Sequence, residues 1–282
     1  MQVNEGSLCE ALLFVALTVK VMDTTLTHPV RRTRNWLGLA SLLLGLFLWW
    51  LVARTANLPA FILPSPMDVW SRFLRAAADG SLLLNTGVTL LEILLGLFSG
   101  AALATVLGYL IARSRALERV LSPYLVASQA VPLVAIAPLL VIWFGPGMFS
   151  KVLVCALIVF FPVLVNTVVG VRAVPVALMD LMRSLHATRV QILARLEIPA
   201  ALPVFLGGLR VGATLSVIGA VVGELVGSDQ GLGFLINLGR GQYDTALVFV
   251  AMFTLIALAL CLYGAVALAE RRLLAWQETL EP

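Results

Sequence analysis

Glu92 and Glu224 are the residues of this chain whose placement asks for chemistry: each stands inside a long apolar stretch, where an ionisable side chain is costly and faces a cavity or a partner. Glu92 reads either as a lining residue of a pathway or as a structural hydrogen-bonding group. Glu224, four residues before Ser228, reads better as structural. Asn85, Gln129, Asn166 and Thr167 are polar companions in the same kind of sequence. Glu92, Gln129, Asn166 and Glu224 are therefore the candidate pathway residues. No lysine or arginine reads as lying deep in an apolar run, so a crossing anion would meet no fixed countercharge except helix N-termini.

Covalent chemistry is poorly provided for. The two histidines, His28 and His186, lie in polar segments, and no His-Glu-x-x-His or Ser/His/Asp set is present. The two lysines, Lys20 and Lys151, lack the glycines of a phosphate-cradling loop, so the chain is not expected to hydrolyse ATP or to be an enzyme. Cys9, Cys155 and Cys261 are far apart in apolar contexts and read as small buried hydrophobes, implying neither a disulfide framework nor a metal site.

What must position these residues is a bilayer. Of 282 residues, 61% are hydrophobic and 12% charged, with a mean hydropathy of +1.02; a soluble domain carries about twice that charge. The net charge of +4 suits anionic headgroups, and no basic, aromatic-interleaved patch suggests nucleic acid. Six apolar stretches have the length of a spanning helix: 36–53, 85–112, 123–144, 150–171, 206–227 and 245–268. The expected fold is an all-α membrane protein with six transmembrane helices. Pro132 and Pro138 should kink or break the third span. Residues 8–22 form a shorter run, interrupted by Glu10 and Lys20, that suits the interface or a misassigned start.

Charge orients the spans. With the N-terminus cytoplasmic, fourteen basic residues fall inside and five (Arg54, Arg72, Arg75, Lys151 and Arg240) outside, as the positive-inside rule requires. Segment 1–35 and the tail 271–282 are then cytoplasmic, 54–84 is an outer loop, and 85–270 is a five-helix core with a cytoplasmic loop at 172–205. In the outer loop Val69, Trp70, Phe73 and Leu74 recur at helical spacing opposite Arg72 and Arg75, an amphipathic interfacial helix.

Small residues recur at helical spacing in two spans: Gly96, Gly100 and Gly108 (with Ala104) four apart in one, and Gly208, Gly212, Gly219 and Gly223, four or seven apart, in the other. Such ladders let helix backbones approach where lipid offers no hydrophobic drive. They read equally as packing within one chain or as a subunit interface or pathway lining.

Residues 180–203 form the one long polar island. Asp180 to Arg189 (Asp180, Leu181, Met182, Arg183, Ser184, Leu185, His186, Ala187, Thr188 and Arg189) has helical character, and Thr188 suits the start of a second short helix that Pro199 and Pro203 would end. Two short helices carrying arginines and an apolar side at the membrane surface suit docking into a cleft on a soluble partner.

The spacing of this island resembles the signature of bacterial ABC importer permeases: Glu-Ala-Ala, three residues, Gly, nine residues, Ile-x-Leu-Pro. Asp180 stands at the glutamate, Leu181 and Met182 at the alanines, His186 at the glycine, and Leu196-Glu197-Ile198-Pro199 closes the motif, with Ile198 and Pro199 at its end. Pro132 to Gly147 and Pro199 to Arg210, together with Glu224 and Gly231-Leu232-Gly233, are similar to the nitrate/sulfonate/taurine branch, including its thiamine-precursor pyrimidine and riboflavin subgroup. The resemblance spans roughly 60–270.

It implies the type I importer architecture, with the island as a cytoplasmic coupling helix. It also implies a bacterial inner-membrane permease working with a second, identical copy, two ATPase subunits that hold ATP and Mg, and an extracytoplasmic solute-binding protein. No cofactor is implied on this chain. The implied cargo is an organic sulfonate, an oxyanion or a vitamin-precursor heterocycle, and Glu92 tilts the expectation toward a neutral or cationic one. Histidine at position 186, where the motif has glycine for a sharp turn, is the main departure; histidine tolerates positive φ better than most residues. A self-sufficient carrier or channel is the alternative, though no internal repeat supports it.

Overall fold

The computed structural model of the chain describes residues 34–55, 59–129 and 132–275. Cys9, His28, the 8–22 run and the end of the tail lie outside the described residues, as does the Gln129 side chain. The chain divides into two units, 1–56 and 57–282.

The first unit contributes α1 (Arg34–Thr55). Leu43, Leu44, Phe47 and Leu48 are exposed along it, as a lipid-facing helix requires. Arg54 closes it, with its guanidinium 5.4 Å from the centre of the Trp50 ring, an interfacial pairing of aromatic and cation.

The second unit is entirely helical among the described residues. It comprises α2 (Pro66–Ala78), α3 (Ser81–Arg113), α4 (Arg115–Gln129), α5 (Leu133–Phe144), α6 (Met148–Arg172), α7 (Val176–Ser184), α8 (Arg189–Ile192), a π turn (Leu193–Glu197), α9 (Ile198–Gly227), α10 (Leu232–Gly241) and α11 (Thr245–Leu273). Among the described residues four helical runs are long and apolar enough to cross a membrane: 81–113, 148–172, 189–227 and 245–273. The stretch 123–144 is divided at Pro132, which caps the start of α5. The twelve residues of α5 rise only about 18 Å, short of the roughly 30 Å core of a bilayer.

α6 is the helix against which α3 and α9 pack most closely. A Cβ added at Gly100 would fall 2.5 Å from the Ala156 carbonyl oxygen, and one at Gly108 2.8 Å from Thr167 Cβ. From α9, a Cβ at Gly208 would meet Asn166 Cβ at 2.6 Å, at Gly219 Cys155 Cα at 2.9 Å, and at Gly223 Lys151 Cα at 3.2 Å. Gly96 meets Cys155, and Gly212 meets Val159 and Val163. Both glycine ladders thus face α6 and serve close packing within the chain. Cys155 is buried in that seam, whereas Cys261 is exposed on α11, against the expectation that it is buried.

Ser65 and Asp68 form a capping box that starts α2, a helix where the outer loop was expected to hold one; Arg72 Nε bonds Asp244 at 2.7 Å, and Trp70 and Leu74 are exposed while Val69 and Ala76 are buried. One local expectation is corrected: Pro199 and Pro203 do not end the helix that Thr188 begins, and residues 189–227 run as one rod. Proline clashes with the carbonyl four residues back in an α-helix. The wider π turn immediately before Pro199 relieves that clash, and the rod continues.

Candidate functional site

The island is an exposed helix–turn–helix. α7 buries none of its residues, and Leu181, Leu185 and Val190 are each more than half exposed. The turn has a defined architecture: the Ala187 N–H donates to the Met182 carbonyl at 3.0 Å and the His186 N–H to that of Arg183 at 2.9 Å. This is the Schellman pattern, whose penultimate residue is left-handed, and His186 has φ 53°. Thr188 then caps α8: its Oγ accepts from the Gln191 N–H at 3.3 Å, while Gln191 Oε1 accepts from the Thr188 N–H at 2.8 Å. A fixed turn between two caps holds Arg183 and Arg189 outward; Arg183 bonds Asp180 at 3.2 Å within its own helix. Ile198 and Pro199 lie in the first turn of α9, behind the loop.

Where the loop re-enters the bundle, the sequence reading passed over the residue that ties it down. Glu197 is 2% exposed and receives Arg113 of α3 at 2.9 Å, together with the Tyr109 hydroxyl at 3.2 Å. Glu197 occupies the unspecified position of the motif, so the motif gave no reason to single it out. Its signal was a lone acid just before a proline in an apolar run. Nearby, Arg172 at the end of α6 grips Glu118 of α4 with two 2.7 Å bonds. That guanidinium holds the Glu118 carboxyl below its usual range, with Arg115 and Arg119 adding to the effect.

The opposite end of the bundle holds both buried carboxylates. Lys151 Nζ donates to Glu92 Oε1 and to Ser228 Oγ, each at 2.7 Å. Lys151 is 6% exposed, so this outer-side cation is turned into the protein rather than left free in solvent. It occupies the first turn of α6, and its long side chain reaches inward along α3. Glu92 is therefore a paired charge, and its carboxylate gives no ground for favouring a cationic or neutral cargo. Glu224 accepts from Thr89 Oγ at 2.6 Å and from the Gly233 N–H at 2.5 Å. Asn85 Oδ1 accepts the Gly231 N–H at 2.6 Å and Thr89 Oγ the Leu232 N–H at 2.8 Å. Gly231 has φ 112°, and a Cβ there would overlap the Glu224 carboxylate, so the Gly-Leu-Gly turn is shaped around that side chain. Asn166 lies elsewhere, in the last third of α6, with its Nδ2 donating to the Pro162 carbonyl at 2.8 Å. Glu92 and Glu224 are thus brought together, and Asn166 is not. Beside the cluster a recess of about 540 Å³, lined by Asp79, Ser81, Asn85, Asp229 and Gln230, opens outward. No group of three or more metal-ligating side chains occurs among the described residues.

Comparison with known proteins agrees with this arrangement. Residues 104–275 match the family described as "Binding-protein-dependent transport system inner membrane component". The chain is 48% identical over 242 residues to the riboflavin transport system permease protein RibX of Chloroflexus aurantiacus, covering 86% of this chain and 90% of that one. It is 36% identical over 236 residues to the formylaminopyrimidine transport permease protein ThiX of Halalkalibacterium halodurans, covering 84% and 94%. Among solved structures, an inward-facing form of the MetNI methionine ABC transporter superposes with a TM-score of 0.59 at 18% identity, over 67% of this chain and 94% of that one, a likeness of fold. The chain belongs to the binding-protein-dependent inner-membrane transport family and is an ABC importer permease.

Proposed function

We propose that this chain forms, with a second copy of itself, the translocation pathway of an importer driven by two cytoplasmic ATPase subunits that carry the ATP and Mg, and fed by an extracytoplasmic binding protein. In this reading α7 and α8 are the coupling element that rides in a groove of the ATPase, and both chain termini are cytoplasmic. The observation that carries it is the loop itself: an apolar, arginine-bearing helix–turn–helix with no buried residue on α7, fixed at its turn by caps and continuous with a long apolar rod. Exposed apolar side chains on an ordered surface mark an interaction site. ATP-driven approach of the ATPases would move the docked helices and bias the cavity between its two faces.

The cargo is proposed to be a small heterocycle of the riboflavin or formylaminopyrimidine type, on the strength of the two named relatives. The test of coupling is co-purification with its partner ATPase subunit. Replacing Arg183, Leu185 and Arg189 together by Glu is expected to abolish it, and unchanged assembly would remove the loop from that role. Uptake that persists in cells lacking the ATPase would favour a self-sufficient carrier. Ligand bound by the partner binding protein decides the cargo.

A further inference from the structure

The carboxylate cluster is short of one positive charge and one hydrogen bond. Glu92 and Glu224 are both 0% exposed and Lys151 is 6% exposed. Two carboxylates and one ammonium sum to −2 + 1 = −1. Among the described residues, no second cation faces the cluster from an element that packs on it. α5 carries no ionisable residue, and α6 adds only the Cys155 thiol. In the turn before α10 Asp229 is exposed, as is Arg240 on α10, and Arg72 of α2 is engaged by Asp244. A net charge left in such surroundings is strongly unfavourable.

The hydrogen bonds point the same way. Both oxygens of Glu224 have donors, from Thr89 and Gly233, and Glu92 Oε1 has Lys151. Glu92 Oε2 is buried and has no donor. Thr89, one turn before Glu92 on α3, bonds Glu224, and Lys151, which bonds Glu92, packs on Gly223 beside Glu224; these contacts bring the two carboxyl groups together, and two ionised carboxylates cannot satisfy one another. A hydrogen placed between them supplies the missing donor and cancels the extra charge together.

We propose that Glu92 and Glu224 share a single bound proton, with Lys151 as the fixed countercharge, so that this end of the bundle is closed over a buried proton site. The site joins α3, α6, α9 and the Gly231–Gly233 turn. Losing the proton would set two carboxylates against one ammonium and push α3 away from α9. The site stands on its own residues and does not depend on any ATPase.

Infrared difference spectroscopy of the purified full-length chain at neutral pH tests it. The wild type is expected to show a protonated-carboxyl C=O stretch that Glu92→Gln and Glu224→Gln each lose, because one carboxylate with Lys151 is already neutral. Lys151→Met is expected to keep the stretch and intensify it, since both carboxyls must then be protonated. As a check that needs no variant, the wild-type band should disappear on raising the pH. Difference spectra showing only ionised carboxylate at neutral pH would overturn the proposal. So would a band surviving in both glutamine variants, or stability that follows added monovalent cation with no band present.

Discussion

Arg113 and Glu197 join the end of α3 to the end of the exposed loop at 2.9 Å, with the carboxylate only 2% exposed. Glu197 closes the π turn from which the long rod departs, so the loop is held to the bundle through a charge as well as through the chain. Glu197→Gln should weaken that hold by about 1 kcal/mol, less than a fully buried pair because Arg113 is 39% exposed. Faster amide exchange over residues 189–197 in Glu197→Gln, but not in Arg183→Ala, is the expected readout. Equal protection in wild type and Glu197→Gln would show that the pair does not anchor the loop.

His186 holds a left-handed backbone at φ 53°. A β-branched residue resists that conformation, so His186→Val is expected to cost about 1–2 kcal/mol in the turn. Glycine relieves the strain but loses more chain entropy on ordering, about 0.5–1 kcal/mol, so His186→Gly should remain close to wild type. Limited proteolysis across residues 184–188 separates them: the valine variant should be cut faster, and equal cutting would mean that the turn does not need its present geometry.

Gly231 meets two obstacles to any side chain, its φ of 112° and the Glu224 carboxylate. Gly231→Ala is expected to lower stability by about 2 kcal/mol or more through backbone strain and displaced hydrogen bonds. Gly241, which has open space around it, is the control, and its alanine variant should melt within a degree or two of wild type. A thermal melt of Gly231→Ala that coincides with the control would contradict the packing of this turn.

Glu118 and Arg172 set a dependence on acid. The Glu118 carboxyl lies below its usual range because Arg172 bonds its ionised form. A carboxyl depressed in the folded state contributes stability that is present above its unfolded value, about 4.3, and is lost as pH falls through the folded value. The contact of α4 with α6 should therefore loosen on acidification below about pH 4, and more readily in high salt because the pair is exposed. In Glu118→Gln that part of the acid response should be missing; an unchanged response in a spin-label distance between α4 and α6 would assign it elsewhere.

How much of this was legible beforehand follows from which signals are local. The helices at 85–112, 150–171 and 245–268 were visible because twenty or so apolar residues must bury their own backbone bonds in lipid, and each appears nearly in place. The turn at 186 and the cap at Thr188 were visible in residue type and spacing. The partner of Lys151 was not legible, because a cation near a helix end looks the same in sequence whether it snorkels outward or turns in; only the neighbouring Glu92 decides. Pro199 misled for a related reason: its clash is certain, but whether the helix stops or widens into a π turn is not written in the proline itself.

By itself the sequence determined the membrane as solvent, the apolar helices, the polar island and its motif spacing, because these rest on composition and on contacts within a few residues. Only the tertiary structure decided that both glycine ladders face α6, that Lys151 belongs to Glu92, and that the Gly231 turn wraps Glu224. Lys151 and Glu92 are 59 positions apart, and the Gly231 turn is held by Asn85, 146 positions away. Which buried charge finds which partner is a property of helix packing, and no local pattern encodes it.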